Sequence, residues 1–309
     1  MIGQTIFNNL KEKFKGEGRF KILFCPYKEE MWDSMETIYK AAKDDNETDV
    51  EIMPIPYFTL YDNLPYEARM EFGTYSKAFP WALDMGWDVI IFHYPYDLLN
   101  NVTRPMVTST HLKRFCKHLV LVHYACRGNG DIKDKDALYP GVKNSEVVIF
   151  ETEEQSRHAQ RVLEAYCHWQ GECVAWGSAK YDLVGKFEMP TDWKEKIDGR
   201  PTVLLQTSII PLMNNPNKIE QIKEVIENNK DKCIIWRPHP LYEATLIAHR
   251  YNDYEKYLEM RNDFLKTNNI IDTFSTPEIV ISVADEMISD QSSLVTLWKA
   301  TGQKLTMLE

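Results

Sequence analysis

The sequence predicts an α/β protein built from two doubly wound, parallel-sheet domains facing a cleft, the second domain short. Three observations predict it. Short continuous runs of Val, Ile and Leu recur with the length of strands buried on both faces. Helical stretches separate these runs, which implies parallel pairing through right-handed crossovers. The alternation then restarts after a polar stretch at 188–201, "EMPTDWKEKIDGRP", which carries two prolines and a glycine and reads as a linker. A length of 309 residues also suggests two domains, placed at 1–190 and 191–309. Both are Rossmann-type.

In the first half the strands are Lys21–Cys25, Val50–Pro54, Asp88–His93, Leu119–His123, Glu146–Phe150 and Glu172–Trp176. Between them a helix is expected over Glu29–Lys43, where Trp32, Met35, Tyr39 and Ala42 recur at helical spacing. Another spans Glu153–Trp169, with Thr152 as the cap and Gln155 three residues later. In the second half "PTVLLQ" and "KCIIWRP" read as strands around the amphipathic helix "NKIEQIKEVIENN". A long helix covers Tyr242–Asn268, and "EMISD" and "KLTML" are strands joined by the helix "SLVTLWKAT". The second lobe is therefore either minimal or continued beyond Glu309.

Hydrophobic residues at 44% and charged residues at 27% match folded soluble domains. Aromatic residues at 12% supply two cores. A net charge of −10 favours solubility and repels nucleic acid, and no Lys/Arg run offsets it, so no nucleic-acid partner is expected. Cys25, Cys116, Cys126, Cys167, Cys173 and Cys233 form no C-x-x-C pair, which fits reduced thiols in a cytoplasmic protein and no zinc cluster. The N-terminus lacks a signal-peptide core, and no apolar run reaches the roughly 18 residues needed to span a bilayer. The expected location is the cytoplasm, with peripheral contact at the inner face of the membrane. Oligomeric state stays open.

Ligands of doubly wound sheets sit outside the carboxyl ends of the strands, so the polar residues there carry the candidate chemistry. At 288–300, "ISDQSSLVTLWKA", a strand ends at Ser289–Asp290 and Ser292 and Ser293 open a helix. Its free amides and dipole suit an anion, while Asp290 or Ser292 can equally cap the helix. At 236–240, "WRPHP", Arg237 can grip a phosphate and His239 can neutralise or protonate a leaving phosphate. A structural His in a turn held rigid by Pro238 and Pro240 is the other reading. In the first half His123 is a candidate base for an acceptor hydroxyl, with His93 competing, and Arg127 and Gly128 can bind an anionic acceptor. Gly177 and Ser178 form a turn after a strand, with Lys180 beside them, either at a phosphate or as an ordinary turn. Lys28, near Asp33 and Ser34, can meet a phosphate, although capping and packing account for this stretch as well. No G-x-G-x-x-G or Walker A loop is present and no D-x-D or paired-His metal motif stands out, so neither a cofactor nor a metal is expected.

The motifs "GSAKYDLV", "WRPHPL" and "DTFSTPEIVISVADEMISDQSSLVTLW" occur in the order seen in the CDP-glycerol glycerophosphotransferase family, which this chain resembles. The opening "KILFCPYKEEMWDSMETIYKAAK" is similar as well. The resemblance implies a GT-B fold and teichoic-acid-type cell-wall chemistry. A glycerophosphate or related phospho-polyol would pass from a CDP-activated donor to a hydroxyl of a cell-surface glycan or lipid-linked acceptor. It implies that His239, Ser292 and Ser293 hold the donor diphosphate and that His123 is the acceptor base. Two positions depart from the family pattern. "HYACRG" stands where the family has His followed by Gly, and Leu297 stands where it has an acidic residue. The alternatives on the same fold are a UDP-sugar-dependent glycosyltransferase or epimerase, and a binding module without turnover.

Overall fold

A computed structural model describes residues 1–58, 65–66, 86–99 and 102–308. The chain divides into two compact units, Met1–Asp182 and Leu183–Glu309. The division precedes the polar stretch at 188–201. The amides of Gly185 and Phe187 already donate to Ser282 Oγ of the second unit, at 3.1 and 3.5 Å.

The first unit holds a six-stranded parallel sheet in the order β2-β1-β5-β6-β7-β8. Its strands are β1 (Phe20–Cys25), β2 (Thr48–Ile52), β5 (Trp87–Phe92), β6 (Cys116–Val122), β7 (Val147–Phe150) and β8 (Glu172–Ala175). β3 (Tyr57–Phe58) and β4 (Pro65–Tyr66) form a short antiparallel pair. Alternate residues of one strand feed opposite cores: Leu23 and Cys25 of β1 pack on one face, Ile22 and Phe24 on the other. Burial on both faces explains the continuous apolar runs. The chain leaves β1 for β2 and returns on β1's other side as β5, which makes the β1/β5 boundary the topological switch point.

The second unit holds a five-stranded parallel sheet in the order β11-β10-β9-β12-β13. Its strands are β9 (Thr202–Thr207), β10 (Cys233–Pro238), β11 (Ile270–Ile271), β12 (Glu286–Ser289) and β13 (Lys304–Met307). Strand order reverses between β9 and β12. One face is closed by Val203, Leu205, Ile234 and Trp236 packed against Tyr257, Met260 and Phe264 of the helix Tyr251–Leu265.

Three expected helices differ in detail. The stretch from Glu29 splits into a 3-10 turn, Glu29–Ser34, and the helix Glu36–Lys43. Asp33 pairs there with Lys180 at 2.5 Å and Ser34 bonds His93, and both draw the turn down onto the sheet edge. The expected Tyr242–Asn268 helix breaks at Arg250 into Tyr242–His249 and Tyr251–Leu265. Arg250 leaves helical geometry and its guanidinium donates to the carbonyls of Leu212, Asn215 and Pro216. Glu153–Cys167 begins as expected, with Thr152 Oγ1 accepting the Gln155 amide at 3.2 Å. It stops two residues before Trp169, because His168 takes a left-handed conformation at φ 49°.

Candidate functional site

In the second unit, His239, Asp290, Ser292 and Ser293 all lie at the carboxyl edge of the sheet, after the strands β10 and β12. β9 lies between those strands and adds Ser208 to the same edge. Asp290 is buried and its Oδ2 accepts the Ser208 amide at 3.1 Å. The same oxygen faces Lys218 Nζ at 3.1 Å, in a pair whose side chains are 2% and 1% exposed. Lys218 also donates to Gln221 Oε1 at 2.9 Å. A buried carboxylate needs such a partner, since desolvation would otherwise drive it neutral. Four buried polar atoms remain without a hydrogen bond here: Asp290 Oδ1, Ser208 Oγ, Ser292 Oγ and Tyr242 Oη. Burial, with the Asp290 charge as the second cause, pushes the Tyr242 hydroxyl well above its ordinary pKa, so it is a proton donor at neutral pH.

Ser292 is the residue before the helix Ser293–Lys299, but its side chain makes no capping bond. Asp290 does not cap the helix either, since its carboxylate turns toward Ser208 and Lys218. His239 Nδ1 accepts the Leu241 amide at 3.1 Å, so the neutral ring carries its proton on Nε2. Its backbone amide donates to Thr207 O at 2.9 Å, which ties it to the end of β9.

Arg237 is placed differently from the sequence expectation. Its guanidinium lies at 2.5 Å from the buried Asp272 and donates to the carbonyls of Phe274 and Ser275. These bonds fix the loop after β11, and the fork is turned to protein rather than presented to a phosphate. Leu297 is also explained locally: at 1% exposure it is a core residue, facing inward from the sheet edge.

In the first unit, His123 and Gly177 line one small cavity with Ser34, Arg127, Glu151 and Gln155. Its volume is about 10 Å³, room for about one water. His123 Nε2 is buried without a partner and the ring leans on Phe150, centroids 4.9 Å apart. Burial, then the Arg127 charge, lowers its pKa to about 4. His123 is thus neutral at physiological pH. Gly177 takes φ +89°, and an added Cβ would stand 3.1 Å from Ile2, so the turn and the first helix require glycine.

The competing His93 has a different task. It is fully buried, Nε2 accepts the Tyr27 amide at 2.8 Å, and Nδ1 lies 2.9 Å from Ser34 Oγ. The first bond leaves the ring proton on Nδ1, donated to Ser34, whose own proton goes to Met31 O. Burial, then the Lys180 charge, lowers the His93 pKa to about 3. His93 is a neutral clamp between β5 and the loop after β1. Arg127 and Gly128 offer their amides to the Glu151 carboxylate, so that anion site is filled from within. Lys180 is held by Asp33 and donates to Tyr124 O at 3.3 Å.

Sequence reasoning missed Lys218, Ser208 and Tyr242. Each sits in a stretch whose apolar pattern reads only as helix or strand. Their position after β9 or beside its neighbours was the available signal.

No family model matches this chain, and no curated protein matches it. Solved structures do share its architecture. UDP-GlcNAc 2-epimerase of Methanocaldococcus jannaschii superposes with a TM-score of 0.59 at 13% identity, over 94% of this chain and 84% of that one. UDP-GlcNAc 2-epimerase of Neisseria meningitidis, bound to UDP-GlcNAc, gives 0.58 at 10% identity, over 94% and 83%. The wall teichoic acid polymerase TagF gives 0.48 at 12% identity, over 98% and 72%, too low to carry an argument. No helix among the described residues is long and apolar enough to cross a membrane. Membership of the CDP-glycerol family thus gains no support from a family match. At these identities the likeness establishes the fold alone, and that fold is two parallel-sheet α/β units of the GT-B type.

Proposed function

We propose that this chain is an enzyme acting on a nucleotide-diphosphate sugar, a UDP-sugar in an epimerase- or glycosyltransferase-type reaction. The carrying observation is the group of buried, unpartnered polar atoms at the β9/β12 switch point: Ser208 Oγ, Asp290 Oδ1, Ser292 Oγ and Tyr242 Oη. Switch points are where open α/β sheets bind nucleotides. The epimerases that share the fold have UDP-GlcNAc or UDP in their structures, which supports the choice of donor. Ser292 and Ser293 donate to diphosphate oxygens. Asp290 Oδ1 accepts from a ligand hydroxyl, its charge offset by Lys218. His239, a donor at Nε2, stabilises charge on the departing nucleotide, the electrostatic share of such a reaction.

Transfer of a phospho-polyol from a CDP-activated donor to a glycan or lipid-linked hydroxyl would use the same edge. The order of the "WRPHPL" and "DQSS" motifs favours it. Leu297 stands against CDP-glycerol, because the position belongs to the core here.

Thermal unfolding with UDP, UDP-GlcNAc, CDP and CDP-glycerol separates the readings. A ligand at one hundred times its Kd adds about 2.7 kcal/mol of stability. UDP and UDP-GlcNAc are expected to raise Tm, and Ser292→Ala to reduce that rise. A rise with CDP-glycerol alone would support phospho-polyol transfer instead. Indifference to all four would overturn both.

A further inference from the structure

Along the carboxyl edge of the first sheet, neighbouring strands are each followed by a tyrosine. In sheet order these are Tyr57 after β2, Tyr27 after β1, Tyr94 and Tyr96 after β5, and Tyr124 after β6. The rings form one continuous row. Tyr57 and Tyr27 lie 4.7 Å apart between centroids, Tyr27 and Tyr94 stack at 4.1 Å, and Tyr94 and Tyr96 meet edge-on at 5.0 Å. Tyr96 and Tyr124 join through their hydroxyls at 3.0 Å. Tyr27 is buried, whereas Tyr57, Tyr94, Tyr96 and Tyr124 remain partly exposed.

Lys28 stands at the β2 end of this row, over its first two rings. Its ammonium lies over two rings, 5.6 Å from the centroid of Tyr27 and 5.2 Å from that of Tyr57. Neither contact supplies a negative charge, and no carboxylate among the described residues pairs with it. Burial lowers its pKa, and the charge of Glu30 acts the other way. Packing explains the rings but not a half-buried cation placed over them. The backbone beneath is built for this arrangement, since His93 holds the Tyr27 amide.

We propose that Lys28 and the tyrosine row form a binding site for an anionic sugar, a hexose bearing a phosphate or a carboxylate. Lys28 meets the anion, which replaces ring faces with a full charge. The tyrosines give rigid, amphipathic contact area for a sugar ring. A planar base is a poorer fit, because Tyr27 and Tyr94 already stack on each other. The row crosses the β1/β5 switch point, and in α/β sheets ligands sit outside the carboxyl ends of the strands. The site lies wholly within the first unit and stands apart from the nucleotide reading of the second.

The test is calorimetric titration of the full chain with glucose 6-phosphate, glucuronate, glucose, AMP and inorganic phosphate. None of these is a uridine or cytidine nucleotide, so failure here leaves the nucleotide reading untouched. Expected is binding of at least one charged sugar, tighter than glucose, AMP or phosphate alone. Glucose 6-phosphate and glucuronate then tell which anion is preferred. Lys28→Gln should weaken that binding about tenfold or more, the loss of one charge-assisted bond, and Lys28→Arg should retain most of it. Tyr57→Leu, on a partly exposed ring, should weaken it less. Equal binding of glucose, tighter binding of AMP or free phosphate, an unaffected Lys28→Gln, or no charged sugar bound would each overturn the proposal. Should Lys28→Gln fail to fold, tyrosine ring-proton shifts of the wild-type chain on adding glucose 6-phosphate decide. Shifts confined to this row support the site, and unshifted rings refute it.

Discussion

His93 and His123 follow adjacent strands of one sheet, yet only His123 keeps an unpartnered ring nitrogen. The sequence left both as candidates because each stands at the end of an apolar run. What separates them is the Tyr27 amide and Ser34, which come from a different strand's loop and cannot be read locally. The His93 pKa of about 3 lies below its unfolded value, so the unfolded chain binds the proton first as pH falls. His93 therefore contributes stability that is present above about pH 6.5 and lost as pH falls toward 3, at about 1.4 kcal/mol per unit. Urea unfolding of wild type and His93→Gln across that window should show a shallower pH slope for the variant. Equal slopes would show that the buried imidazole does not resist protonation. At Asp290 the sequence suggested a helix cap or an anion site; the side chain caps nothing, and its buried Lys218 partner was not legible, since lysine at a helix start normally reads as a solvated charge. Lys218→Met leaves the Asp290 carboxylate buried alone and should destabilise the chain by about 3–5 kcal/mol. A cost below about 1 kcal/mol, read from the urea midpoint, would mean that the pair is solvated.

Strands were more legible than helices. Burial on both faces writes a strand as a continuous apolar run, and the six long strands of the first sheet lie within a few residues of their expected places. The N-terminal helix Ile2–Phe14 was not recognised, and its capping explains why. Its first amides, Ile2 and Gly3, donate to Asp182 at 2.8 and 2.7 Å, a cap from the far end of the unit. No local Ser, Thr, Asp or Asn announces it. Asp182 also accepts from Thr37 Oγ1 at 3.0 Å, which joins the helix to Glu36–Lys43. Asp182→Ala should cost about 1–2 kcal/mol of stability, measured by thermal or urea unfolding. Gly3→Ala should cost more than the usual small change, since an added Cβ would stand 2.6 Å from the Thr37 carbonyl carbon. Neutral behaviour of both variants would remove the helix from the first unit's stable core.

At the scale of the whole chain, the restart of the strand–helix alternation announced two units, and each has its own parallel sheet and core. Strand order was not legible, because crossovers of similar length lead to either side of a strand. Strand order is what puts Ser208 between His239 and Asp290, and Tyr27 beside Tyr94. The central claim is that the second unit holds a nucleotide diphosphate at its β9/β12 switch point. A crystal structure of the chain soaked with UDP tests it most directly. The account predicts the diphosphate at the carboxyl ends of β9 and β12, within hydrogen-bond distance of Ser292 Oγ or Ser208 Oγ. UDP bound elsewhere, with those hydroxyls untouched, would contradict it.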